Sequence, residues 1–146
     1  MREILYRGKL KANGKWSEGN LKINKYQGVM IITPDETPLG SYGQIDPDTA
    51  GQYTGFEDKK GRKAFEGDCI NYHFGPEIGI IRYGQYRNTF NDDQFAAHIG
   101  FYVEWKGPQA KALRKDLGFW LSLNGVSIIG NIHDNPEMLK GDCDDG

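Results

Sequence analysis

Glu66 and Asp68 stand on either side of Gly67. In an extended segment that spacing places both carboxylates on one side, about 6–7 Å apart, a separation that some paired-carboxylate hydrolases use. An acid pair around a glycine more often shapes the turn into a strand, where the carboxyl groups accept backbone amides. Metal ligation has five candidates, Cys69, His73, His98, His133 and Cys143, but no two of them fall at a ligand-pair spacing. Cys69 and His73 on one strand would have α-carbons about 13 Å apart, too far to share an ion held at about 2.0–2.3 Å. Ser17, Ser41, Ser122 and Ser127 have no nucleophile-elbow context, and Gly14-Lys15 runs into Trp16 rather than Ser or Thr, which disfavours a phosphate loop. Cys69 precedes Ile70 in a β-prone run, the setting of an inert packed thiol. The expectation is a protein with no catalytic residue, no metal ligand and no cofactor.

Binding chemistry is better represented. Arg82, Tyr83, Tyr86 and Arg87 cluster within six residues, and strand alternation puts Arg82 and Tyr86 on one face. Aromatic stacking beside a cation is how small β-barrels hold single-stranded nucleic acid, although aromatic pairs also occur as plain cross-strand packing. Pro108 suits a first helical position. After it, Ala110, Leu113 and Leu117 share one helical face, Lys111, Arg114 and Lys115 another, and Gly118 suits a cap. This pattern predicts a helix from Pro108 to Gly118 with a basic face, either a contact surface or a solvated one.

The elements that must position these residues are short. Glycine accounts for 20 of 146 residues, spread along the chain, well above the usual roughly 7%. That favours many tight turns between short strands. Hydrophobic residues at 38% suffice for one packed domain or two small lobes. The net charge of −2 gives no global case for nucleic acid or an anionic membrane. Met1 is followed by charged Arg2 and Glu3, and no stretch resembles a secretory or membrane-spanning segment. The expectation is therefore a cytoplasmic protein with no membrane partner, its two cysteines free.

A first hairpin is predicted at Asn13-Gly14, followed by Leu21 to Ile23 and Val29 to Thr33. Pro34 to Pro47 reads as loop with one short strand at most, and Asn88 to Gln94 as a polar loop. Further β-prone runs are Gln52 to Thr54, Lys63 to Phe65, Cys69 to Phe74, Ile78 to Tyr86, Ile99 to Trp105, Phe119 to Leu123 and Val126 to Ile132. The last is followed by a turn at Asp134-Asn135-Pro136, with Leu139 folding back as a plug. The prediction is a mostly β protein, β-rich α+β in class. Residues 1–48 form a small N-terminal β lobe with a proline-rich loop, 49–139 an SH3-like small β-barrel with one short helix, and 140–146 a disordered acidic tail.

Two separated motifs carry a resemblance. Gln52-Tyr53-Thr54-Gly55, Asp58, Gly61 and Phe65-Glu66-Gly67-Asp68-Cys69-Ile70 are similar to the central signature of the YopX-like family. Ile129-Gly130-Asn131-Ile132 with Asn135-Pro136-Glu137 and Leu139 resembles its closing motif. The opening Arg2 to Lys9 with Asn13-Gly14 and Trp16, and Asp46-Pro47-Asp48-Thr49, also resemble members of that family. Cys69 stands where an aliphatic residue is usual and Phe56 where leucine is usual, and 85–118 has little counterpart. The resemblance implies a phage or prophage protein in the bacterial host cytoplasm, a β fold, and self-association or contact with a host or phage protein. It transfers no catalytic residue. From their residue types, Gly55, Asp58, Gly61, Glu66, Gly67, Asp68, Gly130, Asn131 and Pro136 read as architectural. Arg82, Tyr86, Arg87, Lys111, Arg114 and Lys115 are the candidate binding surface, with nucleic acid as the alternative partner.

Overall fold

Gly14 adopts φ 72° and closes the first hairpin, where its amide donates to Leu10 O at 2.8 Å and Leu10 N donates to Lys15 O. The strands so joined are β1 (Tyr6–Lys9) and β2 (Trp16–Asn24), in register with Tyr6 opposite Gly19 and Lys9 opposite Trp16. The computed structural model describes residues 3–26, 28–33, 41–72, 75–88 and 97–140. Its described residues are mostly β, with two antiparallel sheets and one short α-helix. The chain divides into two compact units, Met1–Gly55 and Phe56–Gly146.

In the first unit, β3 (Gly28–Thr33), β4 (Ser41–Gln44) and β5 (Gly51–Glu57) join β1 and β2 in the order β4-β3-β2-β1-β5. Ile31, Ile45 and Tyr53 are buried there. Gly8 is required by packing, since a Cβ at that position would overlap the Ile45 side chain. Within the predicted proline-rich loop, residues 34–40 lie outside the described set. Its remainder holds β4 and a 3-10 turn, Pro47–Thr49, whose entry is fixed by the Asp46 carboxylate accepting Asp48 N–H.

The second unit contains β6 (Lys63–Phe65), β7 (Asp68–Tyr72), β8 (Ile78–Tyr86), β9 (His98–Lys106), α1 (Leu117–Leu121) and β10 (Val126–Asn131). Its sheet runs β10-β7-β8-β9. The core comprises Ile70, Ile81, Val103, Trp105, Leu117, Trp120, Leu121, Val126 and neighbours. Gly79 lies opposite Trp105 because a Cβ there would overlap Val103. Among the described residues no ladder joins β9 to β10, so the four strands are seen as an antiparallel sheet rather than as a closed barrel.

Three expectations are corrected. The predicted helix from Pro108 to Gly118 is replaced by a 3-10 turn, Ala110–Ala112, and an extended segment before α1. The edge of β9 captures that segment: Val103 N–H donates to Lys115 O at 2.9 Å, Tyr102 bridges Asp116, and both the Trp105 and Trp120 indoles donate to Arg114 O. Lys111, Arg114 and Lys115 therefore do not form one helical face. The run Phe119 to Leu123, expected as a strand, begins inside α1, because Leu117, Trp120 and Leu121 fall at i, i+3 and i+4 and are all buried. Leu139 is no plug, being 37% exposed; Met138 Cε instead lies beside Gly130, 3.3 Å from where a Cβ would stand. Residues 89–96, covering most of the predicted polar loop, and the acidic tail 141–146 lie outside the described set.

Candidate functional site

The acidic motif is built around backbone amides. Asp58 is 4% exposed and accepts N–H bonds from Lys60, Arg62 and Ile128 at 3.0, 3.0 and 3.1 Å. Burial pushes its carboxyl up, but those amides and the Arg62 charge outweigh burial and hold it below the ordinary carboxylate value. Arg62 Nη1 in turn donates to Ile128 O, so one turn fastens β10 twice. Asp68 is buried and accepts from Phe65 N at 2.8 Å, closing the turn in which Glu66 and Gly67 sit. Gly55, Gly61 and Gly67 have φ of 89°, 84° and 92°, a region costly for any residue with a Cβ.

The closing motif follows the same logic. Asn131 Oδ1 accepts from His133 N and Asp134 N, and Asn135 N donates to Asn131 O. Pro136 opens the final 3-10 turn. A Cβ on Gly130 would overlap Asn135 Oδ1. Cys69 lies in the core, His98 stacks on Tyr86, and His133 borders Gly67. His73 and Cys143 are outside the described residues.

A different chemistry gathers at the margin of β8 and β9. A groove of about 250 Å³ is bounded by Tyr86 and Gln85 of β8, Tyr102, Glu104 and Trp105 of β9, and Lys111 and Lys115 beyond. The antiparallel register carries Tyr86 and Tyr102 onto one face, where their rings stack at 5.2 Å and 22°. Arg82 is half-buried outside the lining and bonds Glu104 at 3.1 Å. Of the predicted surface, then, Tyr86, Lys111 and Lys115 meet in one groove and Arg82 abuts it through Glu104. Arg114 is turned away, paired with Asp116 at 2.6 Å and placed over the Phe119 ring at 4.8 Å. Arg87 is exposed and does not line the groove.

Two carboxylates, half-buried Asp116 and buried Glu77, hold the walls. Asp116 accepts from Arg114, from Asn88 Nδ2 at 3.0 Å and from the Tyr86 hydroxyl at 3.4 Å. Burial raises its carboxyl, yet Arg114, Asn88 and Tyr86 together bring it below the ordinary value. Asn88 Oδ1 also accepts Lys115 N–H at 2.7 Å. Glu77, 1% exposed, accepts the Tyr72 hydroxyl at 2.9 Å and Gln109 N–H at 2.8 Å, anchoring the loop that carries Lys111. Burial, followed by this bond and the Glu77 charge, pushes the Tyr72 phenol up.

Sequence reasoning missed Tyr102, Trp105, Glu104 and Gln85 as groove residues, and Asn88, Asp116 and Glu77 as their supports. The even-numbered polar and aromatic positions of β9 were a usable signal for Tyr102 and Glu104. Asn88, Asp116 and Glu77 had none, because the bonds that tie each to the groove walls reach residues at least five positions away.

The family model described as YopX protein matches residues 5–140. No curated protein matches. Among solved structures, the crystal structure of protein EF1440 from Enterococcus faecalis is 22% identical, with a TM-score of 0.55 over 96% of this chain and 100% of that one. At that identity the likeness concerns the fold alone.

Proposed function

This chain belongs to the YopX protein family, and from that premise we propose that it is a non-catalytic accessory protein of a phage or prophage, working through protein contacts and self-association in the host cytoplasm. One observation carries the reading. On the face of the β8–β9 ribbon opposite Tyr86 and Tyr102, an apolar stripe leaves the core at Val103, passes half-buried Phe101 and its cross-strand partner Tyr83, and ends at Ile99. Tyr83 is 55% and Ile99 74% exposed, and the Tyr83 and Phe101 rings meet edge to face at 5.0 Å. Apolar residues massed on one side of an exposed ribbon favour association.

A second copy of the chain is the proposed occupant. Val103 N–H points out of the sheet toward Lys115 O, and alternation gives Phe101 and Ile99 the same outward side. Among the described residues no ladder partner covers Ile99 there. Two such edges, related by a two-fold axis, would pair and cover both apolar stripes with a single surface. The acids of the central motif support a non-catalytic role, since Asp58 and Asp68 are committed to backbone amides.

Sedimentation velocity from low to high micromolar concentration tests the reading. The expected result is a concentration-dependent dimer or larger species that Ile99→Lys converts to monomer. A wild-type chain that stays strictly monomeric at high micromolar concentration would overturn it.

A further inference from the structure

We infer that the groove between Tyr86, Tyr102, Trp105, Lys111 and Lys115 is a subsite for one nucleotide of a single-stranded nucleic acid, its ring against Tyr102 and its phosphate toward the lysines. This inference stands apart from the self-association reading, because Tyr86, Tyr102 and Glu104 of the groove alternate along the strands with Tyr83, Phe101 and Ile99 of the stripe and so point to the opposite face of the ribbon.

Charge is the first support. Among the described residues three cations, Arg82, Lys111 and Lys115, line or border the groove against one carboxylate, Glu104. The local charge is therefore positive in a chain whose net charge is −2. Glu104 already faces the Arg82 guanidinium at 3.1 Å. An arriving anion consequently meets a carboxylate whose field is offset by neighbouring charge.

Shape is the second. Tyr86 and Tyr102 present stacked, nearly parallel rings on the groove face, while the Trp105 indole is turned into the core and backs the floor. Planar π systems recognise another flat ring without demanding one base over another. The groove's volume of about 250 Å³ falls below the roughly 300–1,000 Å³ of sites that enclose a free small ligand. It suits one unit of a polymer whose remainder lies along the surface. A duplex would hide its ring faces and gain nothing from the tyrosines.

Rigidity is the third. The Tyr86 ring lies between His98, at 5.1 Å, and Tyr102, and its hydroxyl reaches Asp116. Lys115 is held on both sides of its peptide, by Asn88 Oδ1 and by Val103 N–H. Glu77 anchors the Lys111 loop through Gln109 N–H. Such a site binds without first being ordered, which reduces the entropy cost of binding.

Fluorescence anisotropy with a labelled oligothymidylate, titrated at several salt concentrations, tests the subsite. Wild-type protein is expected to bind with affinity that falls as salt rises. Lys111→Glu/Lys115→Glu is expected to weaken binding about tenfold or more and to flatten the log–log salt slope by about 0.7, the value for one phosphate contact on a single strand. Tyr86→Phe keeps the ring and is expected to retain binding. Tyr102→Leu removes the ring offered to the base and is expected to weaken it by about fivefold or more, with a thermal melt confirming the fold. Ile99→Lys is expected to leave binding intact, separating this site from the association stripe. The inference is overturned if no salt-sensitive binding occurs, if the double lysine variant binds as wild type does, or if duplex binds as tightly. It is equally overturned if thymidine monophosphate displaces the oligomer at matching concentration, which would make the groove a site for free nucleotides.

Discussion

Asp58 and Asp116 are both carboxylates held below their ordinary range within one unit, yet their partners differ in kind. Asp58 is surrounded by the amides of Lys60, Arg62 and Ile128, whereas Asp116 is surrounded by the side chains of Arg114, Asn88 and Tyr86. Backbone amides have nowhere else to go, so the region around Asp58 is a fixed joint between a turn and β10. Side chains can exchange one partner for another, so the margin around Asp116 can accept a ligand without undoing the sheet. Chemistry that looks alike in composition thus divides into a frame and a surface according to what the carboxylate holds.

Replacing Asp58 with alanine should break this contrast most strongly. Three amides would lose their acceptor, one of them in the core strand β10, and a loss of about 3 kcal/mol is expected in denaturant unfolding. Gly67→Ala should cost less, roughly 1–2 kcal/mol, since φ of 92° must be kept with a Cβ present. Asp116→Asn should cost about 1 kcal/mol, because the Arg114 partner is 44% exposed and screened by water.

The acid limb of stability sharpens the comparison further. Asp58 and Asp116 are both depressed from 3.8, so their stabilisation is complete above that value and disappears as pH falls through their lower folded pKa values. Melting temperature measured from pH 5 downward should therefore drop more steeply in wild type than in Asp116→Asn. At the small end, Ile99→Lys should change stability by no more than about 0.5 kcal/mol, since it removes an exposed side chain from the ribbon. A thermal melt indistinguishable from wild type, together with lost association, is the expected pair of results.

Much of the frame was legible in the chain. Asn13-Gly14 marked its hairpin, and Ile78 to Tyr86 and Lys63 to Phe65 matched β8 and β6 because β-branched and aromatic runs bounded by glycine favour strands regardless of context. The groove was legible in part. Alternation correctly joined Arg82 to the Tyr86 face, but the basic helix was misplaced. Local periodicity over 108–118 competed with a sheet edge that periodicity does not see, and the edge won by taking Lys115 O, Asp116 and Arg114 O into its own bonds.

The order of residues settled where the chain bends and which stretches extend, because turns and strand preferences depend on neighbours a few positions apart. Contacts between distant segments decided the rest: Asn88 reaching Lys115, Glu77 reaching Gln109, and β8 lying beside β9 so that Tyr86 meets Tyr102. Such pairings span 27 positions in the first case and 32 in the second. They are selected by the closing of a shared core, and no local pattern carries that information.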